Sequence, residues 1–218
     1  MTSSHLVRLA GAALVASGIL VTLGFSTHPH DALGANRLLW VGSHAIILLG
    51  FAAGLLGLCG LYGVAAPATG GAALAGFLLA QASLILYLGK LYWSGFIYPL
   101  VAARHPDFIA QSGFNPGAQP VDPVLKAVFY LGPLLFGAGY ALLGRELLKA
   151  RLFPAPPVWL VIAGAALVGL WPLLPGAVQQ FSVIVSLVFT AGIAWLGWLL
   201  VADKHRAGVH ALASKETP

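Results

Sequence analysis

Charge is the scarcest property of this chain. Asp, Glu, Lys and Arg together make up 8% of its 218 residues, against roughly 25% in an ordinary soluble domain. Cysteine occurs once, as Cys59. A single thiol excludes an intrachain disulfide framework, a thiolate zinc cluster and a dithiol redox pair. Acidic residues number six, namely Asp31, Asp107, Asp122, Glu146, Asp203 and Glu216, and none stands deep within an apolar run. That argues against a proton-coupled pump, which needs an intramembrane carboxylate. Also lacking are a Gly-x-Ser-x-Gly elbow, a phosphate loop, a dinucleotide fingerprint and a His-Glu-x-x-His pair, the local signatures by which common catalytic sites announce themselves. The sequence therefore reads as non-enzymatic. The formal charge of +5 is dispersed, without a basic run, so nucleic acid is not an expected partner.

What is abundant is apolar surface. Hydrophobic residues make up 59% of the chain, and the mean hydropathy is +0.91. Six stretches reach the roughly 20 residues needed to cross the hydrocarbon core of a bilayer: residues 6–25, 38–62, 72–98, 124–143, 158–174 and 178–202. Arg8 ahead of the first run has the outline of a secretory signal, but no Ala-x-Ala cleavage site follows, so this segment is expected to remain as a span. The expected fold is an all-α, integral membrane bundle of six transmembrane helices, forming one domain over residues 1–218, in contact with the lipid bilayer.

Orientation follows from Lys and Arg. With the N-terminus in the cytoplasm, that side collects Arg8, Arg145, Lys149, Arg151, Lys204, Arg206 and Lys215, and the outer loops hold only Arg37 and Arg104. The positive-inside bias places the N-terminus and C-terminus in the cytoplasm. Richness in Ala, Gly and Leu, with no Asn-x-Ser/Thr acceptor site, suits a multi-pass protein of a bacterial inner membrane. An outer connection over residues 101–123 is long enough to cap the bundle. A short echo of residues 10–15 in residues 163–168 does not extend into a repeat, which counts against a transporter built from duplicated halves.

Candidate functional residues come from polar groups inside apolar runs. In the third segment Ser83, Tyr87, Lys90 and Ser94 recur at i, i+4, i+7 and i+11, one face of a helix. Lipid offers such a stripe no hydrogen-bond partner, so it must face protein or a wet cavity. The fourth segment repeats the pattern with Lys126, Tyr130, Pro133, Gly137 and Tyr140, and the sixth with Gln179, Ser182, Ser186 and Thr190. The expected cofactor or ligand pocket uses Lys90, Lys126 and Arg104 to attract a quinone, a lipid head group or a small carboxylate, positioned by His44 with Tyr87 and Tyr130, and Ser94 belongs to the same set. The competing account is that lysines snorkel, tyrosines anchor at the interface and hydroxyls tie helices together.

Histidines give a second candidate. His44 lies seven residues beyond Arg37, roughly 10 Å into a helix, and the outer loops hold His28, His30, Asp31 and His105. These nitrogen and oxygen donors would suit a divalent metal if the loops met. Finally, Gly50, Gly54 and Gly57 line one face of the second segment. Small residues at that spacing let two helices approach closely, within the chain or against another membrane subunit. The leading expectation is an accessory subunit or small binding module of a larger membrane assembly. An outward-facing metal, quinone or lipid site using His44 and Lys90, and a small-solute transporter, are the alternatives.

Overall fold

The computed structural model describes residues 3–29, 36–107, 123–173 and 182–203. They form helices α1 (Ser3–Ser26), α2 (Arg37–Ala65), α3 (Gly71–Tyr92), α4 (Tyr98–Arg104), α5 (Pro123–Ala150), α6 (Ala155–Leu170) and α7 (Ser182–Val201). A π-helical turn, Trp93–Ile97, joins α3 to α4 without a break. Six helical stretches are therefore long and apolar enough to cross a membrane. Among the described residues there is no strand.

Each neighbouring pair runs antiparallel, and the pairs close into a ring. The order is α1–α2–α3–α5–α6–α7, with α7 returning to α1. Glycine makes this closure tight. A side chain at Gly11 would strike Gly197 of α7, at Gly57 Leu14 of α1, at Gly76 Leu143 of α5, at Gly137 Ala165 of α6, and at Gly164 Phe189 of α7. In each case the nearest atoms include backbone, so these five seams are backbone against backbone. The sixth seam, α2 against α3, has no such contact. It is held by side chains instead: Tyr62 stacks on Phe77 with centroids 4.6 Å apart, Phe51 meets Tyr87 at 5.3 Å, and Gln81 donates to the carbonyl of Leu55.

The interior is uneven along the bundle axis. At the end carrying the termini, Leu58, Leu61, Leu143, Leu147, Leu196 and Leu200 are fully buried and make a close-packed core. The half beyond Leu14 is lined by smaller and aromatic residues and does not fill. Outward, every spanning helix exposes large apolar side chains, among them Ile19, Leu56, Ile85, Leu134, Leu167 and Leu187. A surface of this kind is stable against lipid tails and not against water.

Several boundaries differ from the sequence expectation. α5 runs to Ala150, seven residues past the expected end, because Arg145, Glu146 and Lys149 continue the helix outside the apolar run, with Lys149 bonded to Glu146 at 2.7 Å. α6 begins at Ala155 and takes Pro156 and Pro157 into its first turn, where the missing N–H groups have no helical partner to lose. The helix containing Lys90 continues through Arg104, so the expected loop start at residue 101 is helical. Residues 108–122 of that loop, and the expected start of the sixth span at Val178, lie outside the described residues.

Candidate binding cavity

A cavity of about 360 Å³ occupies the half of the ring away from the termini. All six spanning helices contribute to its wall. Its volume lies within the range of pockets that take small organic ligands. Three rings on facing helices make much of the surface: Phe136 and Tyr140 of α5 and Phe189 of α7, with centroids 4.7 to 4.8 Å apart. Phe136 and Tyr140 share a face because they are four residues apart on one helix. Tyr87 extends the group from α3, 5.8 Å from Phe136 and nearly perpendicular to it. Such tilted contacts fix ring positions.

The polar lining divides into groups that are bonded within the protein and groups that are not. Thr190 Oγ1 donates to the carbonyl of Ser186 at 2.9 Å and lies 2.8 Å from the hydroxyl of Thr22. Tyr87 and Tyr140 are different. Their rings are held by the aromatic contacts, yet neither hydroxyl has a hydrogen-bond partner among the described residues. Tyr140 is 3% exposed, so its hydroxyl is cut off from bulk solvent and open only to the cavity. Lys90 stands at the mouth, exposed, with Nζ 4.0 Å from the centre of the Phe129 ring. That cation–π contact is its one interaction among the described residues. Among the described residues no carboxylate lines the cavity.

The expected pocket is thus assembled only in part. Lys90 and Tyr87 line the cavity, as do Pro133, Tyr140, Ser186 and Thr190 of the other two stripes. Lys126 does not. It sits exposed on the first turn of α5, beyond the cavity, so the expected meeting of two ammonium groups is corrected. Tyr130 packs edge-on to Phe129 at 5.7 Å and lines no part of the wall. Arg104 is exposed on α4, well past the mouth. Ser94 is buried against α2, its hydroxyl directed to the carbonyl of Leu91. Ser83 lies on the expected face but is fully buried, donating to the carbonyl of Gly132 at 2.8 Å.

The histidine reading also divides. His28 and His44 do come together, with ring centroids 4.7 Å apart, and Trp40 packs on both. His44 Nδ1 lies 2.9 Å from the carbonyl of Trp40. This group is apart from the cavity, so His44 does not position a ligand beside Tyr87. His105 is exposed beyond the end of α4, and His30 and Asp31 lie outside the described residues. Among the described residues no three His, Cys, Asp or Glu side chains gather as metal ligands. The glycine face of α2 packs on the chain's own α1, where side chains at Gly50, Gly54 and Gly57 would meet Val21, Ser17 and Leu14.

Sequence reasoning placed Tyr140 on a stripe without assigning it to the site, and passed over Ser17, Phe51, Phe136 and Phe189. The stripe Pro133, Gly137, Tyr140 was the available signal for Tyr140. The phenylalanines carried none, because an aromatic residue in an apolar run reads the same whether it faces lipid, core or cavity. No protein-family model, curated protein or solved structure matches this chain.

Proposed function

We propose that this polytopic membrane protein binds one small, bilayer-soluble molecule inside its ring of helices. The observation that carries the reading is the pair Tyr87 and Tyr140: their rings are held by aromatic contacts on the wall of a largely apolar cavity, and their hydroxyls have no partner among the described residues. Both side chains are open to the cavity, and a bound molecule with oxygen acceptors would give their hydroxyls the partners that the chain does not supply. Lys90 at the mouth adds a third donor.

The positive charge of Arg8, Arg145, Lys149 and Arg151 at the end carrying the termini supports a cytoplasmic placement of that end. The cavity then lies in the outer half of an inner membrane. Docking onto another subunit through the glycine face of α2 has less support, since that face meets α1. Transport would need a second open state, for which the close backbone contacts of five seams leave little freedom.

The test is native mass spectrometry of the protein extracted gently from its own membrane, beside Val168→Trp, which fills the cavity from α6. The reading expects a bound small molecule on the wild type and none on the variant. Equal occupancy of both, or none on the wild type, contradicts it.

A further inference from the structure

The donor arrangement narrows the ligand to one chemical class, an inference that rests on the binding role just proposed. The geometry points to a membrane quinone: a flat ring with an acceptor oxygen at each end and an apolar tail. Four observations converge on it.

First, the lining favours a ligand that supplies acceptors. Lys90 can only donate, the phenolic O–H groups of Tyr87 and Tyr140 donate readily, and no carboxylate lines the space among the described residues. A cationic ligand would meet Lys90 and no carboxylate among the described lining residues, and would have only hydroxyl oxygens such as that of Ser17 to pair with. Second, the donors lie at different depths. Phe136 stands between Tyr87 and Tyr140, touching both rings. Tyr140 is four residues further along α5 than Phe136, about 6 Å deeper. Lys90 caps Phe129, seven residues from Phe136 in the opposite direction. A single head group, such as a fatty-acid carboxylate held at Lys90, would leave the Tyr140 hydroxyl facing an acyl chain. A ring with oxygens at both ends pairs with a donor above and a donor below. Third, the wall between those donors is aromatic, with Phe136 and Phe189 4.7 Å apart, a surface that suits the face of a conjugated ring.

Fourth, the α2–α3 seam offers a path along which a tail can pass. The other five seams each carry a glycine set against a neighbouring backbone, and α2–α3 is held by side chains. Phe51 and Tyr87 of that seam both line the cavity and face each other at 5.3 Å. An isoprenoid or alkyl tail leaving between them reaches the lipid directly.

The experiment is titration of the full-length protein in lipid nanodiscs with decylubiquinone, read by quenching of tryptophan fluorescence, since Trp171 lines the cavity. Oleate is the competing probe. The expected result is saturable binding that oleate does not displace, weakened about three- to tenfold by Tyr140→Phe and by Tyr87→Phe, the loss of one hydrogen bond each. Lys126→Met, outside the cavity, leaves it unchanged. Both tyrosine variants keep their rings, and their thermal unfolding is measured alongside so that misfolding is not read as lost affinity. Oleate binding that depends on Lys90 and displaces the quinone would overturn the quinone assignment while leaving the cavity's binding role intact. Quinone quenching that Val168→Trp, Tyr87→Phe and Tyr140→Phe all leave unaltered would overturn both.

Discussion

The indole N–H of Trp40 donates to the carbonyl oxygen of Ser94 across 2.9 Å, tying the start of α2 to the π turn that ends α3. The partnership follows from Pro99. In the π register Tyr98 N–H reaches back five residues to Trp93, and the next donor in line would be the N–H that proline lacks. The Ser94 carbonyl is thereby left for a side chain, and Trp40, 4% exposed, supplies it. Trp40→Phe should destabilise the protein by about 1–3 kcal/mol, through an orphaned buried carbonyl. Pro99→Ala restores a backbone donor, so the cost of Trp40→Phe should shrink in that background. Thermal unfolding of the four proteins in one detergent measures both effects, and strict additivity would contradict the account.

The glycine seams make a second prediction. A Cβ at Gly76 would stand 2.6 Å from the backbone nitrogen of Leu143, whereas one at Gly63 would meet nothing within 4 Å. Gly76→Val should cost about 1–3 kcal/mol or more by forcing α3 from α5. Gly63→Ala should be neutral or stabilising by up to about 1 kcal/mol. Equal stability of the two variants in a denaturant titration would remove the argument that backbone contact closes the ring.

Two hydroxyls on neighbouring helices, α3 and α5, should behave oppositely. Ser83→Ala breaks a buried bond to Gly132 and should lower the stability of the ligand-free protein by about 0.6–1.7 kcal/mol. Tyr140→Phe removes a hydroxyl with no partner among the described residues, so it should leave that stability unchanged or raise it. A loss on Tyr140→Phe comparable to that of Ser83→Ala would show that the Tyr140 hydroxyl is already bonded.

Orientation is open to labelling in a Cys59→Ser background. Asn36→Cys, at the cavity end, should react with an impermeant maleimide on intact cells. Thr69→Cys, in the turn at the opposite end, should react only after permeabilisation. The reverse pattern would place the cavity on the cytoplasmic side.

The fold was legible because membrane crossing is written in length and apolarity alone, and all six spans emerge where the runs lie. The ends were less so. Glu146 with Lys149 extends α5 beyond its apolar run, and a hydropathy reading stops at Arg145. The stripe on α3 identified Tyr87 and Lys90, because a polar face on a spanning helix must have an inward reason. Lys126 was misplaced for a definite cause: periodicity fixes the face of a helix but not its height against its neighbours. On α5 the cavity begins only at Phe129, one turn below Lys126. His28 and His44 were expected to share a site, and they do touch, but through packed rings beside Trp40. No spacing rule separates ring packing from ligation.

The central claim, that two tyrosine hydroxyls wait in the cavity for an acceptor, is tested most directly by NMR of the protein labelled with ¹³Cζ-tyrosine in nanodiscs. The chain has six tyrosines, and Tyr87→Phe and Tyr140→Phe assign the two of interest. Added decylubiquinone should shift those two signals saturably and leave Tyr62, Tyr92, Tyr98 and Tyr130 in place. If the Tyr87 and Tyr140 signals stay fixed, or all six drift together without saturating, the cavity is not a binding site of the kind argued.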